Sequence, residues 1–341
     1  TLPDRVQQCQ RGLDHRRERR AELLPYAGCR RGKPLPNRLP RRGERRKKSL
    51  QVRPEIRPRT AQALQHALPD CRQAAQVAAR CTAAACRGGW PETLDLSPSQ
   101  SLLTAREYLN LLFSESVPRH GRDGGLARRI ALSLARNLGQ AATYKTLLAD
   151  VSGGDEPLTT TATVASYLEL LKNMYVIEEV PGWVPARRSP KRLSVKPKRY
   201  LADPSLVVAL LGMNEEALLA DWQTFGLVFE NMCVRDLMVY AQALPDAPAV
   251  PVRYYRDDAG LEADAIVELP DGRWAAFEFK LGIAKADAGV ATLKRVREKV
   301  TRNPHARTRP PEFVAVLTGT GEYAYQAEEG IYVIPLRALG A

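Results

Sequence analysis

Residues 262–280 read EADAIVELPDGRWAAFEFK and place two apolar-rich segments on either side of the turn signal Pro270-Asp271-Gly272. A turn of this kind between two β-prone segments predicts a β-hairpin. Closing the hairpin about Asp271 puts Asp264 opposite Glu278, with Cβ atoms about 5 Å apart. Two carboxylates at that distance destabilise a sheet unless a cation lies between them. The stretch therefore predicts a hairpin that carries a cation-binding pair.

The candidate catalytic residues are Asp264, Glu278 and Lys280. Glu278 and Lys280 are two residues apart on a predicted strand, so their side chains project from one face, and the intervening phenylalanines project into the core. A Mg²⁺ ion held by Asp264 and Glu278 could polarise a phosphoryl oxygen and lower the pKa of a bound water. Lys280 could position that water or stabilise the developing negative charge. Glu230, on the preceding predicted helix, is a further candidate metal ligand.

A structural alternative to this metal site stays open. Glu and Lys are abundant on solvated strand faces, where an ion pair between them contributes little to stability. The combination of a turn, Asp264 and the Glu278/Lys280 pair in one register is more specific than the pair alone.

The sequence around the hairpin predicts a mixed α/β domain over residues 201–341. The expected elements are a helix over residues 221–243, strands over 252–256, 262–269 and 273–280, a helix over 286–300, and strands over 312–317 and 331–335. Helix, three strands, helix and strand is the element order of the PD-(D/E)XK nuclease fold.

Residues 126–200 predict a winged-helix-like domain. Apolar residues at helical spacing occur over residues 126–138, 143–151 and 159–174, and an alternating strand follows over 175–180. Three helices followed by a hairpin is the order of a winged helix. The third helix offers Lys172 and Asn173 near its end and few other side chains suited to reading bases. This composition favours a structural or protein-contact role over base recognition.

A basic run lies on the predicted wing and its exit. It has no intervening acidic residue, and its members are candidate nucleic-acid-binding residues: Arg187, Arg188, Lys191, Arg192, Lys196, Lys198 and Arg199. Such a run is usually a solvated loop, and it can also bind phosphates.

The formal net charge of +13 is concentrated at one end of the chain. Residues 1–87 contain 22 of the 51 Lys and Arg and 7 of the 38 Asp and Glu, a net charge of +15, which leaves −2 for the remainder. The bias toward Arg and Pro and the scarcity of large apolar residues predict no packed domain there. Three interpretations stay open: a basic nucleic-acid-binding arm, disorder, or translation of a GC-rich coding sequence in the wrong frame. Packed structure is expected to begin near Gly88.

The six cysteines predict reduced, unpaired thiols. The sequence has no CxxC pair and no second cysteine pair or nearby histidine to complete a zinc site. Such thiols are typical of the cytoplasm. The sequence also has no run of about 18 apolar residues and no signal-peptide pattern. We therefore expect a soluble cytoplasmic protein without a membrane partner.

Several motifs in order resemble the C-terminal domain of unknown function of bacterial and archaeal AAA-type ATPases. They are Gly88-Gly-Trp-Pro-Glu92, Pro197-Lys-Arg-Tyr-Leu-Ala-Asp203, Gly226-Leu-Val-Phe-Glu-Asn231, Tyr254-Tyr-Arg256, Glu262-Ala-Asp264 and Phe277-Glu-Phe-Lys280. The resemblance implies a P-loop ATPase core, a winged-helix connection and a nuclease-like domain whose site matches Glu230, Asp264, Glu278 and Lys280. Residues 88–125 would then be a helical remnant of the ATPase lid.

The chain departs from that pattern because it has no Gly-x-x-x-x-Gly-Lys-Ser/Thr motif. The nearest text, GCRRGKP at residues 28–34, is one residue short between its glycines and has proline where a hydroxyl should reach Mg²⁺. No ATP site and no ATP hydrolysis are therefore expected. Two functions remain: a Mg²⁺-dependent nuclease-like module acting on DNA, and a non-catalytic module that docks DNA or an ATPase partner.

Overall fold

The computed structural model describes residues 71–152, 158–303 and 308–339. The chain is mixed α/β, with a helical part followed by a part built around a six-stranded sheet. This agrees with the predicted fold class. Within the described residues, every helix is too short or too polar to cross a membrane.

The helical part contains five main helices and a small sheet. The helices are α1 (Cys71–Arg87), α2 (Pro98–Leu111), α3 (Gly124–Arg136), α4 (Tyr144–Ser152) and α5 (Thr161–Asn173), and α2 continues through the π-helical segment Leu112–Ser116 and the turn Val117–Arg119. Strands β1 (Ile177–Val180) and β2 (Lys198–Leu201) pair antiparallel, and the short helix α6 (Lys191–Ser194) lies in their connection. The three helices and the hairpin predicted over residues 126–200 are thus present, although the connection within the hairpin is long.

The second part begins with three helices, α7 (Pro204–Leu210), α8 (Glu215–Ala220) and α9 (Trp222–Gln242). It continues with β3 (Arg253–Arg256), β4 (Glu262–Glu268), β5 (Trp274–Lys280), α10 (Ala286–Thr301), β6 (Phe313–Thr318), β7 (Tyr325–Glu328) and β8 (Ile331–Pro335). The sheet order is β3-β4-β5-β6-β8-β7. The first three strands are antiparallel, β6 joins β5 and β8 joins β6 in parallel, and β7 is an antiparallel edge strand.

The β4–β5 hairpin has the predicted register. Ala265 lies opposite Phe277 and Glu268 lies opposite Trp274, so closure about Asp271 is confirmed over these pairs. Successive residues of each strand point to opposite faces. One face packs with α9 in the larger apolar core, and the other packs with α10 in a second core. The sheet is therefore covered on both sides.

The prediction that packed structure begins near Gly88 is wrong, because helix α1 (Cys71–Arg87) precedes it and is packed. Helix α1 buries Val77, Ala78, Thr82 and Ala85 against the helices around it. These side chains are small, so the helix carries little of the large-residue periodicity that indicates a buried face. The predictions for residues 1–70 fall outside the described residues.

The buried carboxylate of Asp203 joins the two parts of the chain. Asp203 caps α7 by accepting a hydrogen bond from the Ser205 backbone N–H at 2.9 Å. It also accepts from the Gly89 N–H at 2.8 Å and pairs with Arg235 of α9 at 3.2 Å. Burial raises the pKa of Asp203, but Arg235 and these hydrogen bonds outweigh it and hold the pKa below its ordinary value. The contact connects the residues just after α1 with the start of α7 and with α9.

We expect Arg235→Met to lower the free energy of unfolding by about 3–5 kcal/mol, because it leaves the Asp203 carboxylate buried without its cation. Urea denaturation followed by circular dichroism measures the change. Arg119→Met is the matched control, since Arg119 forms an exposed pair with Glu115 and should change stability by less than about 0.5 kcal/mol. Equal effects of the two substitutions would contradict the assignment.

Candidate functional site

Four carboxylates from three elements lie together at one end of the β4–β5 hairpin. Glu230 comes from α9, Glu262 and Asp264 from the start of β4, and Glu278 from the end of β5. Glu230 and Glu278 each interact electrostatically with both Asp264 and Glu262. Glu230, Asp264 and Glu278, which the sequence predicted as metal ligands, are thus brought together, and Glu262 is an additional member.

In Asp264 and in Glu278, one of the two carboxylate oxygens accepts a hydrogen bond from the hairpin. Asp264 Oδ2 accepts the Phe279 backbone N–H at 2.8 Å. Glu278 Oε1 accepts from Lys280 Nζ at 2.7 Å. Glu278 Oε2 is buried and has no hydrogen-bond partner among the described residues. A buried carboxylate oxygen without a donor is costly, so a cation or a hydrogen-bond donor bound to this atom would stabilise the folded protein.

Lys198 of β2 lies inside the carboxylate cluster. Its Nζ is 2.5 Å from Glu262 Oε1, 3.6 Å from Glu230 Oε1 and 3.9 Å from Asp264 Oδ1. Only 8% of its side-chain surface is exposed. The sequence placed Lys198 in a phosphate-binding run, whereas the structure makes it an internal counter-cation. Strand β2 was not identified from the sequence. All four residues of β2 are buried, so Lys198 is buried with them.

Helix α9 and the α3–α4 loop hold β2 in place. Leu201 N–H donates to the buried Asn231 Oδ1 on α9 at 3.0 Å, and Tyr200 Oη donates to Glu230 Oε1 at 2.6 Å. Gly139, in the α3–α4 loop, donates its N–H to the Arg199 carbonyl at 3.1 Å. Gly139 has φ +69°, and a Cβ there would lie 2.7 Å from Glu230 Oε1, so this position requires glycine. The site is therefore built jointly by both parts of the chain.

The cluster carries an excess of negative charge. The four carboxylates outnumber the ammonium groups of Lys198 and Lys280 by two. Burial and the neighbouring charge of Asp264 raise the pKa of Glu230 and of Glu278 to about 7. Burial also raises the pKa of Asp264. Burial alone would lower the pKa of Lys198, but the surrounding carboxylates outweigh it and raise that pKa.

The donor set fits a hard divalent cation, since Mg²⁺ prefers carboxylate oxygens and the cluster has charge to neutralise. The partnerless Glu278 Oε2 supports the same conclusion. Within the described residues, however, no three His, Cys, Asp or Glu side chains converge as a ready metal-binding group. The carboxylates Glu230, Glu262 and Asp264 converge on the Lys198 ammonium instead.

A cavity of about 450 Å³ opens beside the cluster. The sheet part contributes Lys198, Tyr254, Arg256 and Glu262, and the helical part contributes residues 139–143 and Thr146. The Arg256 side chain is 60% exposed and lies 3.8 Å from Glu262. Of the four carboxylates, Glu262 lines this cavity, together with the Lys198 side chain.

The predicted basic run does not form one continuous cationic surface. Arg187 and Arg192 both pair with Glu268, Lys191 pairs with Asp258, and Arg199 pairs with Glu179. With Lys198 in the carboxylate cluster, five of the seven basic residues have acidic partners. Arg188 and Lys196 are exposed, and neither has an ion pair to another described residue.

The described cysteines, Cys81, Cys86 and Cys233, are free thiols. Burial raises the pKa of each, to about 12 for Cys81 and Cys86. They are therefore poor nucleophiles and poor metal ligands at neutral pH.

Two family models match adjacent stretches of the chain. Residues 80–217 match a family described as Domain of unknown function (DUF8612), and residues 225–339 match Domain of unknown function (DUF4143). The second match contains Glu230, Glu262, Asp264 and Glu278, whereas Lys198 lies in the first. No curated protein and no solved structure is significantly similar to the chain.

We expect the metal-free protein to lose stability as the pH rises from about 5 to 7. Glu230 and Glu278 titrate near 7 in the folded state against an ordinary value of 4.5, so over this range the folded chain holds protons that the unfolded chain has released. Stability then falls with rising pH, by at most about 1.4 kcal/mol per pH unit for each group. Urea unfolding in EDTA at several pH values measures this slope.

Glu278→Gln should make the slope shallower, because it removes one titrating carboxyl. Glu92→Gln, at an exposed position, should keep the wild-type slope. A wild-type stability that stays level or rises between pH 5 and 7 would rule out the raised pKa values.

Proposed function

We propose that this chain is a divalent-metal-dependent, nuclease-like module that hydrolyses phosphodiester bonds, with DNA as the substrate class. The observation that carries the proposal is Glu278 Oε2, which is buried without a partner among the described residues. It lies in a cluster that has two more carboxylates than ammonium groups. Such a cluster is stabilised by a cation and gives that cation negatively charged oxygen ligands.

Asp264 and Glu278 would hold the metal ion, with Glu230 as a further ligand directly or through water. A bound Mg²⁺ ion supplies Lewis acidity toward a phosphoryl oxygen and lowers the pKa of a bound water. Lys280 keeps Glu278 oriented through its 2.7 Å hydrogen bond and presents remaining N–H donors to developing negative charge. Tyr200 orients Glu230 through its 2.6 Å hydrogen bond.

The fold supports the same proposal. The succession α9, β3, β4, β5, α10, β6 has the order of the PD-(D/E)XK nuclease fold, and Asp264 and Glu278 lie on the paired strands β4 and β5. Helices α3, α4 and α5 with the β1–β2 hairpin have the order of a winged helix. The sequence resemblance to AAA-type ATPase proteins supports an ATPase as a partner.

The cavity of about 450 Å³ beside the cluster supports a substrate with phosphate groups. Its Arg256 guanidinium is mostly exposed and can pair with a phosphate oxygen next to the scissile bond. Arg188 and Lys196 are exposed basic residues that can contact the backbone of a longer substrate.

Cleavage of single- and double-stranded DNA with Mg²⁺ or Mn²⁺ tests the proposal. We expect metal-dependent cleavage by the wild type and a loss of about 10²-fold or more in Asp264→Ala and Lys280→Ala, because each removes charge at the reacting phosphate. Asp271→Ala, in the exposed turn of the same hairpin, is the matched control and should cleave like the wild type.

Equal cleavage by the wild type, Asp264→Ala and Lys280→Ala would show that the activity does not come from this site. No cleavage by any of them, together with DNA binding that weakens steeply with salt, would favour the second candidate function. That function is non-catalytic docking of DNA or an ATPase partner. It is favoured by Lys198, which already neutralises part of the cluster without any metal.

A further inference from the structure

We infer that Lys198 sets the metal affinity of this site, because its ammonium group competes with a divalent cation for the same carboxylates. The inference rests on the proposed metal site of Asp264 and Glu278, and it concerns a residue outside that ligand set. It makes metal binding by this chain weaker than its four carboxylates alone would give.

The Lys198 ammonium group lies among carboxylate oxygens that would also stabilise a metal cation. Lys198 Nζ lies within 3.9 Å of oxygens from Glu230, Glu262 and Asp264. The Asp264 oxygen that it approaches is Oδ1, whereas Oδ2 is already bonded to the Phe279 backbone. A metal ion held by Asp264 must therefore use the oxygen that faces Lys198 or share the other with the backbone N–H.

The Lys198 side chain is held at this position. Its ammonium lies 5.3 Å from the centroid of the Tyr254 ring, within the range of a cation–π contact. The Tyr254 hydroxyl donates to the Lys196 carbonyl at 2.6 Å, and the Leu201 N–H is bonded to Asn231. Both ends of the segment around Lys198 are thus fixed. We therefore expect the ammonium group to remain beside the carboxylates when a metal ion binds.

A fixed positive charge a few ångströms from a cation site lowers the affinity of that site for a cation, because like charges repel strongly where water is largely excluded. Neutralising Lys198 has two consequences. Metal binding tightens by roughly tenfold or more. The metal-free protein becomes less stable, since the four carboxylates are then opposed only by Lys280 and by the mostly exposed Arg256 among the described residues.

Isothermal titration of the full chain with Mn²⁺ tests the inference. We expect Lys198→Met to bind Mn²⁺ at least about tenfold more tightly than the wild type. Lys198→Arg keeps the charge and should bind close to the wild-type affinity. Lys294→Met removes a lysine that pairs with Glu328 of the edge strand β7 and is the matched control, with wild-type affinity expected. Asp264→Asn in the wild-type and Lys198→Met backgrounds should abolish the tight binding.

Thermal unfolding provides a second readout. In EDTA, Lys198→Met should unfold at a lower temperature than the wild type. Mn²⁺ should raise its unfolding temperature by more than it raises that of the wild type. Lys198→Gln, which keeps a hydrogen-bond donor near Glu262, should behave in the same way and replaces Lys198→Met if that variant does not fold without metal.

The outcomes separate this inference from the proposed function. The wild type could bind Mn²⁺ in a way that depends on Asp264, while Lys198→Met and Lys198→Gln bind it equally or more weakly. This outcome would overturn the competition and would still support the metal site. Absence of Asp264-dependent binding in every variant overturns both. Tighter binding by Lys198→Met together with wild-type affinity in Lys198→Arg supports the inference.

Discussion

The excess of buried negative charge at the end of the β4–β5 hairpin is the constraint on which the rest of the site depends. Four carboxylates share a region in which Glu230 and Glu278 have pKa values raised to about 7. Such a cluster persists in a folded protein only if cations or protons compensate it. Lys280 supplies one compensation within the hairpin, and Lys198 brings another from the preceding part of the chain.

The Lys198 charge also links the two parts of the molecule. Strand β2 belongs to the small sheet of the helical part, yet its Lys198 and Tyr200 end in the carboxylate cluster of the large sheet. Just beyond β2, Asp203 ties the Gly89 backbone to Arg235 of α9. The connection between the parts therefore also carries site residues. The boundary between the two matching family models, near residues 217–225, lies after this connection.

The hairpin register could be predicted from sequence because it follows from local rules, a turn signal and the two-residue repeat of a strand. Most of the other strands and helices followed from the same rules. The edge strand β7 was missed because it is short and half-exposed, so its pattern is weak. Helices α7 and α8 were missed although Asp203-Pro204 and Asn214-Glu215 are recognisable helix starts.

The role of Lys198 could not be predicted because it depends on contacts with residues 32 to 66 positions away in the chain, from Glu230 to Asp264. In sequence it belongs to a run of seven basic residues, and nothing local distinguishes it from the exposed Lys196. Glu262 was passed over for a similar reason, since its partner is this lysine.

The most direct test of the account is the anomalous diffraction of crystals grown with Mn²⁺. The account predicts an anomalous peak bound by Asp264 and Glu278, with Lys198 still paired with Glu262 beside it. The account would be contradicted by crystals that show no peak at this position. In such crystals Glu278 Oε2 would instead form a hydrogen bond with a protein donor or share a proton with a neighbouring carboxylate.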